Sequence, residues 1–99
     1  MKEDATKQAQ AYQQQMQSII IQKESLNLQL LEIKKALEEL EKIGNGEVFK
    51  LAGPLLVKTT VESAKKDLKE KEEMLTLRIG NLEKIEKQIK ERIEKLKHS

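Results

Sequence analysis

Cysteine and tryptophan are absent from the 99 residues, and proline, phenylalanine, tyrosine and histidine occur once each. Without cysteine there is no disulfide framework, and nothing requires an oxidising compartment. Aromatics make up 2% and hydrophobic residues 37%, beside 36% charged residues. A chain this short and polar buries too small a fraction of its surface to build a large globular core, so one domain over residues 1–99 is the ceiling. No apolar run approaches the roughly 18 residues of a membrane span. Met1-Lys2-Glu3-Asp4 leads into glutamines rather than into a signal-peptide core, so a soluble, cytoplasmic protein without membrane attachment is expected. An excess of one charge is also lacking. Nineteen Lys and Arg against seventeen Asp and Glu leave +2, with the signs interspersed. That excludes the basic stripe a nucleic-acid binder needs. No nucleophile and base spacing, phosphate-cradling glycine loop or metal constellation occurs, so neither an enzyme nor a cofactor or metal is expected.

What is present is concentrated in the middle. Residues 44–59 read GNGEVFKLAGPLLVKT and hold three of the four glycines (Gly44, Gly46, Gly53), Pro54 and Phe49. Two short β-type runs around Ala52-Gly53-Pro54 predict a β-hairpin. On either side the sequence is charged and helix-forming. The expected fold is therefore mainly α, a long antiparallel coiled-coil α-hairpin. Its helices over 1–43 and 60–99 are joined by a β-hairpin over 44–59.

The flanks carry heptads. In the first arm Ala9, Tyr12, Met16, Ile19, Lys23, Leu26, Leu30, Ile33, Leu37 and Leu40 alternate steps of three and four, and only Lys23 breaks their apolar character. At 1.5 Å per residue this helix would reach about 60 Å. Ile20, Ile21, Leu28 and Leu31 lie off that seam. Gly44 stands where a C-terminal cap glycine belongs. Thr59 and Glu62 fit a capping box that opens the second helix. The second seam runs Leu68, Glu72, Leu75, Ile79, Leu82, Glu86, Ile89, Ile93 and Leu96, with two glutamates interrupting it and Ile85 beside Glu86 as a shield. Gly80 costs the second helix about 1 kcal/mol, unless it permits a close contact. Leu37 with Leu68, Leu30 with Leu75, Leu26 with Ile79, Met16 with Ile89, Tyr12 with Ile93 and Ala9 with Leu96 keep a nearly constant sum of residue numbers. That is the pattern of two antiparallel arms of one chain.

A lone two-stranded ribbon is marginal in water and leaves two unpaired edges. This one is also apolar, with Val48, Phe49, Leu51, Leu55, Leu56 and Val57 in ten residues. Those residues are expected to join other chains, ideally in a closed barrel. At the opposite ends of the arms the seam is Ala5, Ala9, Tyr12 and Met16, set among six glutamines (Gln8, Gln10, Gln13, Gln14, Gln15, Gln17). Small and flexible seam residues grip weakly.

The string GEVFKLAGPLLVK, from Gly46 to Lys58, with a glutamine-rich first helix ending ALEELEKI and a second helix containing LTLRI, resembles the β-type subunits of the archaeal prefoldin family. The resemblance covers nearly the whole chain. It implies an α2β4 hexamer in which β-hairpins build a double barrel and six coiled coils project from it. It further implies an ATP-independent chaperone that captures unfolded proteins between coiled-coil tips and passes them to a group II chaperonin. Carried over residue by residue, oligomerisation falls on Val48, Phe49, Leu51, Leu55, Leu56 and Val57. Client binding falls on the tip, Ala5, Ala9, Tyr12, Met16, Ile89, Ile93 and Leu96. The chaperonin contact falls on Lys90, Arg92, Lys95 and Lys97. The implied partners are unfolded proteins, prefoldin α subunits, further β copies and the chaperonin, with no nucleic acid or membrane.

Plainer readings stand beside these. Most heptad leucines are core, the glutamines also fit a solvated helix face, and His98 reads as an end residue rather than a ligand or base. The carboxylates sit in Glu/Lys helical patterns. Lys23 reads as a register-setting charge or as a stem that snorkels to solvent. The competing function is a structural coiled-coil spacer or adaptor that holds specific protein partners.

Overall fold

Long runs of Glu, Lys, Gln and Leu favour helix, and glycines with Pro54 interrupt them in only one place. The computed structural model describes residues 2–98, with side chains from residue 4 onward. Four elements follow in order: α1 (Lys2–Ile43), β1 (Glu47–Ala52), β2 (Leu55–Thr60) and α2 (Val61–Lys97). The expected mainly α architecture, two long helices joined by a β-hairpin, is what the chain adopts. Among the described residues no helix is long and apolar enough to cross a membrane.

α1 stops where Gly44 takes a φ of 83° and its N–H donates to the Leu40 carbonyl at 3.0 Å. A side chain would strain that left-handed cap. Lys42 in the last turn complements the negative end of the helix. The start of α2 departs from expectation by one residue. Thr60, not Thr59, is the N-cap, its Oγ1 accepting from the Ser63 N–H at 3.1 Å. The reason is that the strand runs one residue further than expected: Thr59 pairs with Val48 inside the ladder, Thr60 with Glu47 at its last step, and the helix opens at Val61. Glu62 then falls second rather than third in the helix and the capping box does not form. Its charge still sits in the first turn, where the helix dipole favours it.

β1 and β2 pair antiparallel from Glu47↔Thr60 to Ala52↔Leu55. The two-residue loop is Gly53-Pro54. A φ of 61° at Gly53 followed by the locked negative φ of proline fits a type II′ turn, whose twist suits a hairpin. The base of the ribbon is closed by the Val61 N–H, which donates to the Gly46 carbonyl at 2.9 Å.

The chain divides into two compact units, a hairpin unit (Leu28–Thr76) and a terminal unit (Met1–Asn27 with Leu77–Ser99). In the hairpin unit Leu40, Val61 and Leu75 are buried, and the seam positions Leu30, Ile33, Leu37, Leu68 and Glu72 are half-buried. In the terminal unit Ile19 and Ile89 are buried, and every other seam position is half-buried, Lys23 and Glu86 included. Half-burial is what a pair of helices provides, since each covers only one stripe of the other. Ile20, Ile21, Leu28 and Leu31 are exposed, as their off-seam positions require. Gly80 has no close contact: a Cβ built there meets nothing within 4 Å. The structure gives no reason for a glycine at that position.

Candidate functional site: an apolar ribbon and two helical ends

The strand register sorts the ribbon's side chains between its faces, because alternate residues of a strand point to opposite sides. Phe49 and Leu51 share a face with Leu56, which lies directly across from Leu51; Val48 shares the other with Leu55 and Val57. Both faces are therefore apolar. Phe49 is 66% exposed, Leu51 74%, Leu55 66%, Leu56 69% and Val57 39%; Val48 alone is half-buried. The ribbon's charges are Glu47 at its base and Lys58 and Lys50 in its two middle pairs. Lys58 Nζ lies 2.9 Å from Glu47 Oε2, and Lys50 Nζ reaches Asp67 Oδ2 of α2 at 3.8 Å.

Beside β1 the hairpin unit forms a groove of about 740 Å³, lined among others by Leu40, Ile43, Phe49, Leu51, Leu68 and Met74. Ile43 and Met74, each 54% exposed, enlarge the apolar surface beyond the six residues identified from the sequence. They sit outside the β runs, so only the fold brings them to the ribbon. Lys65 Nζ pairs with Glu41 Oε1 at 2.8 Å across the helices of this unit. That hydrogen bond, with the Lys65 charge and a smaller one from Lys69, holds the Glu41 carboxyl below its ordinary range.

In the terminal unit Ala5, Ala9, Tyr12, Met16, Ile93 and Leu96 are half-buried, whereas Ile89 is 3% exposed. Contact with Ile89 therefore requires the seam to part. Lys90, Arg92, Lys95 and Lys97 are all exposed. Two of them have carboxylate neighbours, Lys90 at 3.8 Å from Glu86 and Lys97 at 3.9 Å from Glu94. The sequence reading missed a polar layer in the seam. Lys23 Nζ lies 3.5 Å from Glu86 Oε1, with side chains only 22% and 17% exposed. One interruption in each arm carries opposite charge, and that was the available signal. Glu86 is thus answered by a cation rather than shielded by Ile85, which is itself 44% exposed.

Among the described residues no cluster of His, Cys, Asp and Glu could hold a metal ion, and no buried side-chain nitrogen or oxygen lacks a hydrogen-bond partner.

Comparison with known proteins agrees with this architecture. A family model described as prefoldin subunit matches residues 3–99. The chain is 47% identical over 90 residues to a prefoldin subunit beta of Thermococcus onnurineus (strain NA1), covering 90% of this chain and 78% of the relative. It is also 47% identical over 90 residues to that of Pyrococcus furiosus, covering 90% and 77%. Among solved structures, the prefoldin beta subunit from Thermococcus strain KS-1 matches with a TM-score of 0.90 and 40% identity, over 97% of this chain and 85% of that one. A two-stranded ribbon between heptad helices, joined to these likenesses, places the chain in the prefoldin family, among relatives of the β-subunit type.

Proposed function

We propose that the chain is one subunit of a hexameric, ATP-independent holdase. It joins prefoldin α-type subunits and other β copies through its ribbon, captures unfolded polypeptides at its helical ends and delivers them to a group II chaperonin. The observation that carries this reading is the exposure of five large apolar side chains on a single two-stranded ribbon. An uncovered ribbon of this kind is both costly in water and prone to edge pairing. Val48, Phe49, Leu51, Leu55, Leu56 and Val57 are its assembly residues.

Clients meet Ala5, Ala9, Tyr12, Met16, Ile89, Ile93 and Leu96. Half-buried alanines and one methionine part at small cost, so the seam can offer apolar groups and close again. Such contacts are weak and unselective, and several copies in one assembly supply avidity. Lys90, Arg92, Lys95 and Lys97 form the chaperonin contact. Its electrostatics are favourable to an acidic partner: residues 1–27 and 77–99 hold ten Lys and Arg against seven Asp and Glu, whereas residues 28–76 hold nine against ten.

The test is aggregation of several unrelated denatured proteins, followed by light scattering without nucleotide. The assembled protein should suppress all of them. Protection of one defined partner alone would replace the holdase with an adaptor.

A further inference from the structure

Only two of the nineteen cationic side chains are arginine, Arg78 and Arg92, and they stand two heptads apart on α2 with Ile85 midway. Each immediately precedes a seam residue (Ile79, Glu86, Ile93), so the three share one stripe beside the seam. All three are exposed, Ile85 at 44%. Neither arginine has an ion-pair partner among the described residues, in contrast to Lys90 and Lys97 on the same helix. The sequence explains why. The residues three and four positions to either side are Met74, Leu75, Asn81 and Leu82 for Arg78, and Gln88, Ile89, Lys95 and Leu96 for Arg92. None is acidic.

The facing stripe of α1 is neutral as well. A groove of about 620 Å³ in the terminal unit is lined by Gln22 and Arg78, with Leu26 and Leu82. Gln15 and Gln8 repeat Gln22 at heptad spacing along α1. The positions that usually hold interhelical ion pairs in a coiled coil are here glutamine on α1 and Arg78, Ile85 and Arg92 on α2.

We propose that this stripe holds an extended segment of non-native polypeptide that carries two carboxylates about six residues apart with an apolar side chain between them. Fourteen helical residues separate the arginines by about 21 Å, which an extended chain covers in about six residues at roughly 3.4 Å each. Guanidinium forks take carboxylates two-pronged, which ammonium groups do not. Ile85 meets an apolar side chain two or four positions after the first carboxylate, which an extended chain points to the same face as both carboxylates, and the glutamine amides offer donors and acceptors to the segment's backbone. The inference rests on the client-capture reading and gives it a preferred client chemistry. Arg92 belongs to this stripe and to the chaperonin contact, so a docking chaperonin displaces one end of the held segment.

The test uses the full chain in its assembled state and fluorescein-labelled peptides read by anisotropy. One peptide has aspartates six positions apart with a leucine two positions after the first, on the same face, a second has asparagines in place of the aspartates, and a third has the aspartates three positions apart. The first should bind roughly tenfold tighter than the second at low salt and lose that margin as salt rises. The third should fall well short of the first. R78Q and R92Q should each weaken the first by roughly three- to fivefold, the range of exposed ion pairs, and leave the second unchanged. Equal binding of the first two peptides, or R78Q and R92Q variants that bind the first as the native chain does, would overturn the proposal. Aggregation assays separate the two levels. A native protein that suppresses aggregation but shows no preference for the paired aspartates loses this inference alone, while one that protects no denatured protein loses client capture itself.

Discussion

The hairpin unit and the terminal unit are built on the same heptad repeat and treat apolar surface in opposite ways. The first displays it: Phe49, Leu51, Leu55 and Leu56 are each about two-thirds exposed or more, on a ribbon whose edges have no strand partner among the described residues. The second keeps its seam residues at least half-covered, in a seam that alanine, methionine and a Lys23–Glu86 pair make loose, although Ile21 and Leu77 off the seam are 66% and 65% exposed. Permanent display is the economy of a surface meant for stable burial by other subunits, since bare apolar strands otherwise aggregate. Half-covered residues suit reversible contact, because exposing them costs little and closing them again keeps the protein soluble. The ribbon thus suits stable burial and the terminal seam suits reversible contact.

The contrast can be attacked experimentally. Removal of about ten residues from each end should abolish aggregation suppression completely and leave the assembled mass, apart from the residues lost, unchanged. Retained suppression would move client contact away from the ends. Next in size is the polar layer. Glu86→Leu strands the half-buried Lys23 ammonium and should lower stability by about 1–2 kcal/mol, less than a fully buried pair because water still reaches both groups. Adding Lys23→Leu should recover that loss in thermal melts. Failure to recover would mean that the pair contributes more than its desolvation costs. Gly80→Ala should raise stability by about 1 kcal/mol, since the added methyl meets nothing within 4 Å. A loss would reveal a need for the glycine in the assembled state. The smallest effect concerns Glu41, whose carboxyl is held low chiefly by its hydrogen bond from Lys65. A lowered folded-state pKa contributes stability above the ordinary carboxylate pKa and loses it as pH falls through the folded value. Glu41→Gln should therefore flatten the decline of melting temperature on acidification below the usual carboxylate range, while an identical slope would exclude this pair as a contributor.

Much of the fold was legible because its signals are periodic or punctuating. Seam positions from Ala9 to Leu40 and from Leu68 to Leu96 are all at least half-covered, and Gly44, Gly46 and Gly53 all take positive φ. The β runs and their loop were equally plain. What escaped depends on partners in space. Thr59 and Thr60 are equivalent as caps in the sequence, and only the end of the strand ladder, whose last pair is Glu47 with Thr60, chooses between them. Lys23 and Glu86 each looked like a separate fault in its own seam. Their distance along the chain hid that they answer one another. Leu56 joins Phe49 and Leu51 only once the turn fixes the pairing. Ile43 and Met74 belong to helices, and no local pattern connects them to the ribbon they border.

The central claim is that this ribbon must be covered by other chains. Its most direct test is the solution mass of the native chain, alone and mixed with an α-type prefoldin subunit, beside a variant carrying Phe49→Asp and Val57→Asp. The prediction is a multi-chain assembly for the native protein and a helical monomer for the variant. A native chain that stays a stable monomer in both settings, or a variant whose mass equals that of the native assembly, would contradict it.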